Sequence, residues 1–332
     1  MIKSFISLLI KKYPPVPLSK NQRTLVDIYN QKVSNGRFEY EEVPCLCRHQ
    51  EFKTIYDYDR YGLWNPVVIC NKCGLIQNYT RLTEEEYQKF YTSDDYRYLY
   101  NSGVSVESYK EKYTENNHVF DELHPILKES GLNTILELGC GGGWNLIPFR
   151  RNGYDVSGID YSPMLTELGS RTYELNVKQG SIQSLHNVTD KYDVIIINHV
   201  VEHFTDFYGL MGLITKRLNK GGVVYIGVPN MDNCAIGQLQ NAHTYYFTPR
   251  TFLYFMEKCG LKKISFGSAQ KIHMYGIFSI SDHTELNQVY DTQVEYDHMI
   301  KKTSYSKFKY LVSLVLEIIG IKRFLKRLIS SF

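Results

Sequence analysis

The sequence predicts an α/β fold: a mostly parallel sheet that ends in an antiparallel hairpin, with a small cysteine-bearing module ahead of it and basic amphipathic helices at its two ends. Three observations carry that prediction. From residue 133 onward, near-continuous runs of Val, Ile and Leu alternate with amphipathic stretches, the pattern of strands buried on both faces and covered by helices. The first of those runs leads straight into a glycine-rich turn, Gly139-Cys140-Gly141-Gly142-Gly143, that opens a helix. Four of the seven cysteines, Cys45, Cys47, Cys70 and Cys73, gather in one short region.

Taken in order, residues 1–40 open with an apolar run of six residues before Lys11 and Lys12, a basic helical pattern that Pro14, Pro15 and Pro17 break into an irregular stretch. Residues 41–80 hold short strand-like pieces, VVIC and GLIQNY, punctuated by cysteine, which suits a small ribbon. Residues 81–131 read as connecting helices: Thr83 with Glu86 makes a capping box for a helix through Tyr91, and Val119, Leu123, Ile126 and Leu127 fall on one side of another. The domain at 132–282 strings together strands at 134–138, 154–160, 175–180, 192–198 and 221–229, with helical patterns near 143–152, 163–173, 205–219 and 249–259. KKISFG and HMYGIFSIS follow with no room for a helix between them, so they form a hairpin. Residues 283–332 combine a polar, uninformative stretch up to residue 305 with an apolar, basic helix from Ser306.

Charge is unevenly distributed along the chain. Among 332 residues, Lys and Arg number 38 and Asp and Glu 35, a net +3. Up to Arg23 there are five cations and no acid, and from residue 300 eight cations face only Glu317; net charges of +5 and +7 there leave −9 for everything between. An acidic middle is a poor platform for nucleic acid, so no nucleic-acid partner is expected, and the basic ends are the surfaces for an anionic one. An odd number of cysteines with four clustered speaks for a reducing compartment and a metal site rather than a disulfide framework. The first apolar run is too short for the core of a signal peptide, and Leu311 to Ile321 falls short of the roughly 20 residues a spanning helix needs. The expected location is cytoplasmic, with the basic ends offering peripheral attachment to the inner face of the membrane.

A dinucleotide fingerprint places glycine at the first, third and sixth positions of the turn, but the sixth here is Trp144. The spacing is instead Glu137-x-Gly139-x-Gly141-x-Gly143. It resembles the first motif of class I S-adenosylmethionine (SAM)-dependent methyltransferases, whose Rossmann-like sheet residues 132–282 would share. The resemblance implies SAM as cofactor, with Glu137 and the loop Gly139, Cys140, Gly141 and Gly143 shaping the pocket for its methionine part. It implies that Asp160, closing the second strand, accepts hydrogen bonds from the ribose hydroxyls, and that Tyr161 and Met164 lie against the adenine. The family's third motif usually carries an Asp that meets the adenine amino group; here Gly180-Ser181-Ile182 stands in that place, a weaker match. Asn198, at the end of the fourth strand, completes the expected cofactor-binding set.

Asn198 is followed by His199-Val-Val-Glu202-His203, and after the fifth strand the chain reads Asn241-Ala-His243-Thr-Tyr245-Tyr246. On a helix, positions i, i+3 and i+4 share a face, so His199, Glu202 and His203 are expected to project together from the C-terminal rim of the sheet, with His243 at the same rim. Three readings compete. These side chains cap and pack; or His243 or His199, with His203 beside them, is a general base that takes a hydroxyl proton as the methyl moves; or the four hold a second divalent metal. The metal reading resembles the ExxEH-plus-His arrangement of small-RNA 2′-O-methyltransferases and, in part, that of ubiquinone-pathway O-methyltransferases. This sequence departs from both in having His199 where they carry Glu.

Cys70-Asn-Lys-Cys73-Gly74 is a metal-binding knuckle, and Cys45-Leu-Cys47 is its partner pair, one residue short of the usual spacing, with His49 near enough to replace a thiolate. Four such ligands favour a structural zinc. The wider run from CLCRHQEF through VVICNKCGLIQ to KFYTSDDYRYLY resembles the N-terminal ribbon and following helix of methyltransferases from bacterial surface-polysaccharide and sugar-modification clusters, with Tyr91 to Tyr100 as a candidate lining for the acceptor. The resemblance implies O-methylation of a sugar or glycan hydroxyl. The alternatives are C-methylation of a nucleotide-linked sugar, metal-assisted 2′-O-methylation of RNA, and a non-catalytic membrane-associated scaffold. The basic ends are expected either on an anionic membrane surface or packed within their own chain or a homodimer.

Overall fold

The computed structural model describes residues 5–93, 99, 117–181, 190–269, 272–281 and 291–319. The chain divides into two compact units, one from residues 1–102, 231–248 and 291–332, the other from 103–230 and 249–290. The sequence lays out five successive segments, whereas the first unit is assembled from three separated pieces of chain.

The first unit begins with α1 (Phe5–Lys12) and α2 (Lys20–Ser34), continues through β1 (Tyr40–Glu42), β2 (Phe52–Tyr58), β3 (Trp64–Cys70), β4 (Ile76–Asn78) and β5 (Thr80–Leu82), and reaches α3 (Glu84–Thr92). Thr83 caps α3, its hydroxyl accepting from the Glu86 N–H at 3.3 Å. The second unit follows with α4 (His118–Ser130), β6 (Thr134–Leu138), α5 (Leu146–Arg151), β7 (Asp155–Asp160), α6 (Pro163–Tyr173), β8 (Asn176–Gln179), β9 (Tyr192–Asn198), a 3-10 turn (Val201–His203), α7 (Phe207–Arg217) and β10 (Leu218–Pro229). The chain returns to the first unit for β11 (Tyr245–Tyr246), completes the second with α8 (Pro249–Lys258), β12 (Leu261–Ala269) and β13 (His273–Ile280), and adds α9 (Thr292–Ile318) to the first.

The sheet of the second unit runs β12-β13-β10-β9-β6-β7-β8. The strands from β10 to β8 pair in parallel, and β13 is antiparallel to both its neighbours, so the expected hairpin closes the sheet. Ile135, Val194, Ile196 and Val223 are buried together with Val119, Leu123 and Leu127 of α4 and Phe149 of α5, which is why the strands read as unbroken apolar runs. Because β6 has β7 on one side and β9 on the other, the strand order reverses at β6. The loops leaving β6, β7 and β9 therefore border the crevice in which such sheets bind ligands.

In the first unit, β11-β4-β3-β2 form an antiparallel sheet and β1-β5 a separate pair. Val67 and Ile69 of β3, Ile76 of β4 and Tyr246 of β11 share a core with Ile10 of α1 and Met299 of α9. Asp59, fully buried after β2, anchors this unit by accepting the N–H groups of Tyr61 at 2.8 Å, Leu63 at 3.0 Å and Asn241 at 3.2 Å. Residues 292–305, uninformative in the sequence, form the first half of α9. Its buried side is Glu295, Met299, Thr303 and Ser306, and a helical face of an acid and two hydroxyls carries no hydrophobic period.

Candidate functional site

The glycine turn after β6 is built as its spacing predicts. Gly139, Gly141 and Gly143 have φ of +69°, +55° and +77°, where a Cβ is disfavoured, and neither of the first two has room for one against Val200 and the Trp144 ring. The N–H groups of Gly139 and Cys140 both donate to Ile159 O, at 2.8 and 3.2 Å, and tie the turn to β7. Cys140 is buried, which pushes its thiol up.

Asp160 closes β7, and its carboxylate is aimed by backbone donors on both oxygens: Gly141 N–H to Oδ2 at 2.7 Å and Ser162 N–H to Oδ1 at 2.8 Å. Burial raises its pKa. Each oxygen keeps a lone pair for a ligand hydroxyl. Tyr161 and Met164 follow directly and expose 53% and 51% of their area, apolar surface close in sequence to the carboxylate. Glu137 is buried in β6. Asn145 donates to its Oε1 at 2.6 Å, while Oε2 is buried with no hydrogen-bond partner among the described residues, and desolvation pushes the acid up to about 8. Buried acceptors are normally satisfied, so Oε2 beside the glycine turn fits a ligand that brings its own donor, such as the ammonium of an amino acid. The residues present therefore fit SAM. Ser181 follows Gly180, whose N–H bonds Asp160 O at 2.9 Å, and Ile182 lies outside the described residues, as does most of Tyr91 to Tyr100.

The helix expected over His199 to His203 does not form. The His199 N–H is still bonded to Gly227 O of β10 at 2.9 Å, its φ is +58°, and only the 3-10 turn Val201–His203 follows. The continuing strand pairing at Asn198 and His199 forces a sharp reversal instead of a helical start. A non-glycine residue in that region costs about 1–2 kcal/mol and is held by its surroundings. The i, i+3 pairing survives the change, with His199 Nδ1 3.5 Å from Glu202 Oε1. Glu202 is buried, and its Oε2 has no hydrogen-bond partner among the described residues. The backbone N–H of His203 bonds Val200 O at 3.0 Å and its side chain is half-buried.

Sequence reasoning missed His273. It begins β13, pairs with Pro229 at the end of β10, and sets its ring 4.4 Å from that of His199 at 77°. Burial, helped by the neighbouring His199, lowers its pKa to about 4, so it is a neutral base at pH 7. A lone His opening a distant strand offers no spacing signal; only the register of β13 against β10 brings it to His199.

His243 belongs to the first unit, whereas His199, Glu202 and His203 belong to the second. It is buried, its carbonyl accepts from the Asn78 side chain, and its ring hydrogen-bonds Gln240 and tilts against Tyr246 at 5.7 Å.

The four predicted cysteines of the first unit come together. Cys45 Sγ lies 3.4 Å from those of Cys73 and Cys47, and Cys47 Sγ lies 3.6 Å from that of Cys70. A tetrahedral zinc with Zn–S near 2.3 Å holds its sulfurs about 3.8 Å apart, so the cluster fits one ion with slight expansion. Arg48 at φ +63° and Gly74 at φ +71° make the two knuckle turns. Hydrogen bonding with Cys47 pushes Cys45 up and with Cys45 pulls Cys70 down, so the thiols share protons that a divalent cation would displace. His49 is not part of the cluster and pairs with Glu51 at 3.8 Å.

Fold and turn together define the sheet of class I methyltransferases. Residues 109–265 match the family model described as a methyltransferase domain. The ubiquinone biosynthesis O-methyltransferase of Azorhizobium caulinodans is 31% identical over 105 residues, 29% of this chain and 40% of that protein. That of Brucella ovis is 27% identical over 108 residues, 31% of this chain and 44% of that protein. The chain thus spans well under half the length of these curated relatives. Among solved structures, a SAM-dependent methyltransferase from Archaeoglobus fulgidus is 16% identical with a TM-score of 0.43, covering 53% of this chain and 99% of its own. One from Clostridium acetobutylicum is 14% identical with a TM-score of 0.40, covering 59% and 99%.

Proposed function

We propose that the protein is a SAM-dependent methyltransferase that methylates an oxygen, with a sugar hydroxyl of a surface glycan as acceptor. The observation that supports the cofactor most directly is the Asp160 carboxylate, aimed by the Gly141 and Ser162 N–H groups at the edge where the strand order reverses. Glu137 and the glycine turn would hold the methionine part, Asp160 the ribose, and Tyr161 with Met164 the adenine. Bound SAM supplies a sulfonium methyl already reactive toward in-line displacement. What remains for the chain is to hold the acceptor oxygen about 3–3.5 Å from that carbon and to take its proton. His199 is proposed for the proton, oriented by Glu202 at 3.5 Å and backed by the neutral His273.

His243 is proposed as a second group acting on the acceptor. His243→Ala is expected to abolish turnover and spare cofactor affinity; unchanged turnover removes it from the mechanism. A metal-assisted route through the His and Glu residues instead predicts activity lost on chelation and restored by a divalent ion. A zinc held by the four cysteines is proposed as structural. A phenolic oxygen is the second acceptor reading, supported by the names of the curated relatives. Calorimetry of the full chain with SAM, followed by labelled methyl transfer to nucleotide-linked sugars, glycan fragments and demethylated quinol precursors, tests both. Absence of SAM binding overturns the proposal, and transfer to the quinol precursors alone replaces the sugar.

A further inference from the structure

We infer that α1 and α9 together form a docking surface for an anionic phospholipid bilayer. Both belong to the first unit, and Tyr310 of α9 donates its hydroxyl to Tyr13 O, just beyond α1, at 2.7 Å. Ile10 of α1 shares a core with Met299 of α9, and Ile6, Ile300 and Tyr310 pack against it, so both helices cover the same core. Their outer faces are apolar and exposed. On α1 these are Phe5 and Leu8, with Lys12 next in line. On α9 the exposed residues Tyr305, Phe308, Val312 and Val315, continued by Ile319 at its C-terminal cap, recur at spacings of three and four. At 100° per residue they occupy an arc of about 80°.

Charge decides what covers this stripe. Lys301 lies on the same line one turn earlier, Lys309 flanks it, and Lys11 and Lys12 stand on α1, all exposed. Glu317, the one acid after Asp297 on α9, sits about 160° around the helix from Ile319, almost opposite the stripe. A second copy of the same surface would bring these cations against their equals, and two heptads fall short of the three to four that sustain a coiled coil. An apolar face rimmed by lysine matches an anionic interface, where the aromatic and aliphatic groups enter the acyl boundary and the lysines meet headgroups. Among the described residues no helix is long and apolar enough to cross a membrane, so the contact is lateral.

Flotation of the full chain with vesicles tests this. The protein should float with phosphatidylglycerol–phosphatidylcholine vesicles, and much less with pure phosphatidylcholine or in 0.5 M salt. Phe308→Glu with Val315→Glu should reduce partitioning at least tenfold, and Lys309→Glu about fivefold or more, since each lysine contributes about that factor. Unchanged circular dichroism and thermal unfolding of these exposed-face variants keep the comparison valid. The inference is overturned if the wild type fails to float, if neutral vesicles serve as well, or if sedimentation shows a dimer that the Phe308→Glu, Val315→Glu variant abolishes.

Discussion

Replacing Asp160 by Ala removes one carboxylate and leaves the rest of β7 intact. In the structure each carboxylate oxygen accepts one backbone N–H, so the group is fixed and each oxygen has one direction left for a ligand hydroxyl. Two hydrogen bonds to a charged acceptor are worth about 1.5–3 kcal/mol each. Their loss together is about 3–6 kcal/mol, which weakens binding by a factor of roughly 10²–10⁴. Freeing the Gly141 N–H also loosens the turn and adds to the loss. Calorimetric titration of wild type and variant with SAM and with its demethylated product measures it, with thermal unfolding as the check on folding. Asp160→Asn, which keeps one acceptor but turns a donor toward one of the two backbone N–H groups, should lose at least tenfold. If folded Asp160→Ala binds either ligand within threefold of wild type, the carboxylate does not hold the ribose and the assignment of the crevice fails.

Metal analysis of the purified protein should find close to one zinc per chain; Cys73→Ser should lose it, and a lost stabilisation of about 3 kcal/mol would lower the unfolding temperature by about 6–12 °C. Asp59 and Glu137 are raised by burial to about 7 and about 8, above their ordinary values of 3.8 and 4.5, so the folded state holds their protons more tightly than the unfolded chain does. Their contribution is complete below those ordinary values and disappears as pH rises through the raised ones. His273, lowered to about 4, acts oppositely but only below 6.5, so urea unfolding between pH 6.5 and 8 should show stability falling by about 2 kcal/mol, flattened in Glu137→Gln; no fall contradicts the burial. His273→Phe, which keeps a ring beside His199, should lower kcat about 100-fold and shift the pH–rate profile while leaving SAM affinity unchanged; an unaltered profile would assign His273 to packing alone.

The sheet was legible because burial on both faces leaves a one-dimensional trace. Val194 to Ile197 are all fully buried, and β6 and β9 match the apolar runs at 134–138 and 192–198 residue for residue. The glycine turn was legible because its left-handed angles restrict composition at fixed positions. The cysteine pairs were legible because knuckles are local. What escaped was set by distant pairing. β11 has two residues, too few for a period, and exists because Tyr245 and Tyr246 find Gln77 and Ile76 of β4. The His199 turn escaped because a helical spacing of chemistry-bearing residues was read as a helix, while the hydrogen bond to Gly227 of β10 dictated otherwise. His273 needed the register of an antiparallel strand, and the first half of α9 hid a buried Glu295 whose partner is the Thr248 hydroxyl at 2.6 Å.

The threefold assembly of the first unit has a consequence for how this chain can be divided. Residues 231–248 leave the parallel sheet after β10 and rejoin it at α8, so no single cut yields either unit whole. A fragment holding only residues 103–290 would carry β11 without β4, and one ending at residue 281 would strip Met299 out of a closed core. During synthesis β4 waits for some 165 residues before its outer edge is covered by β11, a long-range closure of the kind that slows folding. Deletion from either end is therefore expected to unfold the cysteine-bearing unit, and proteolysis should yield nicked whole protein before separable halves.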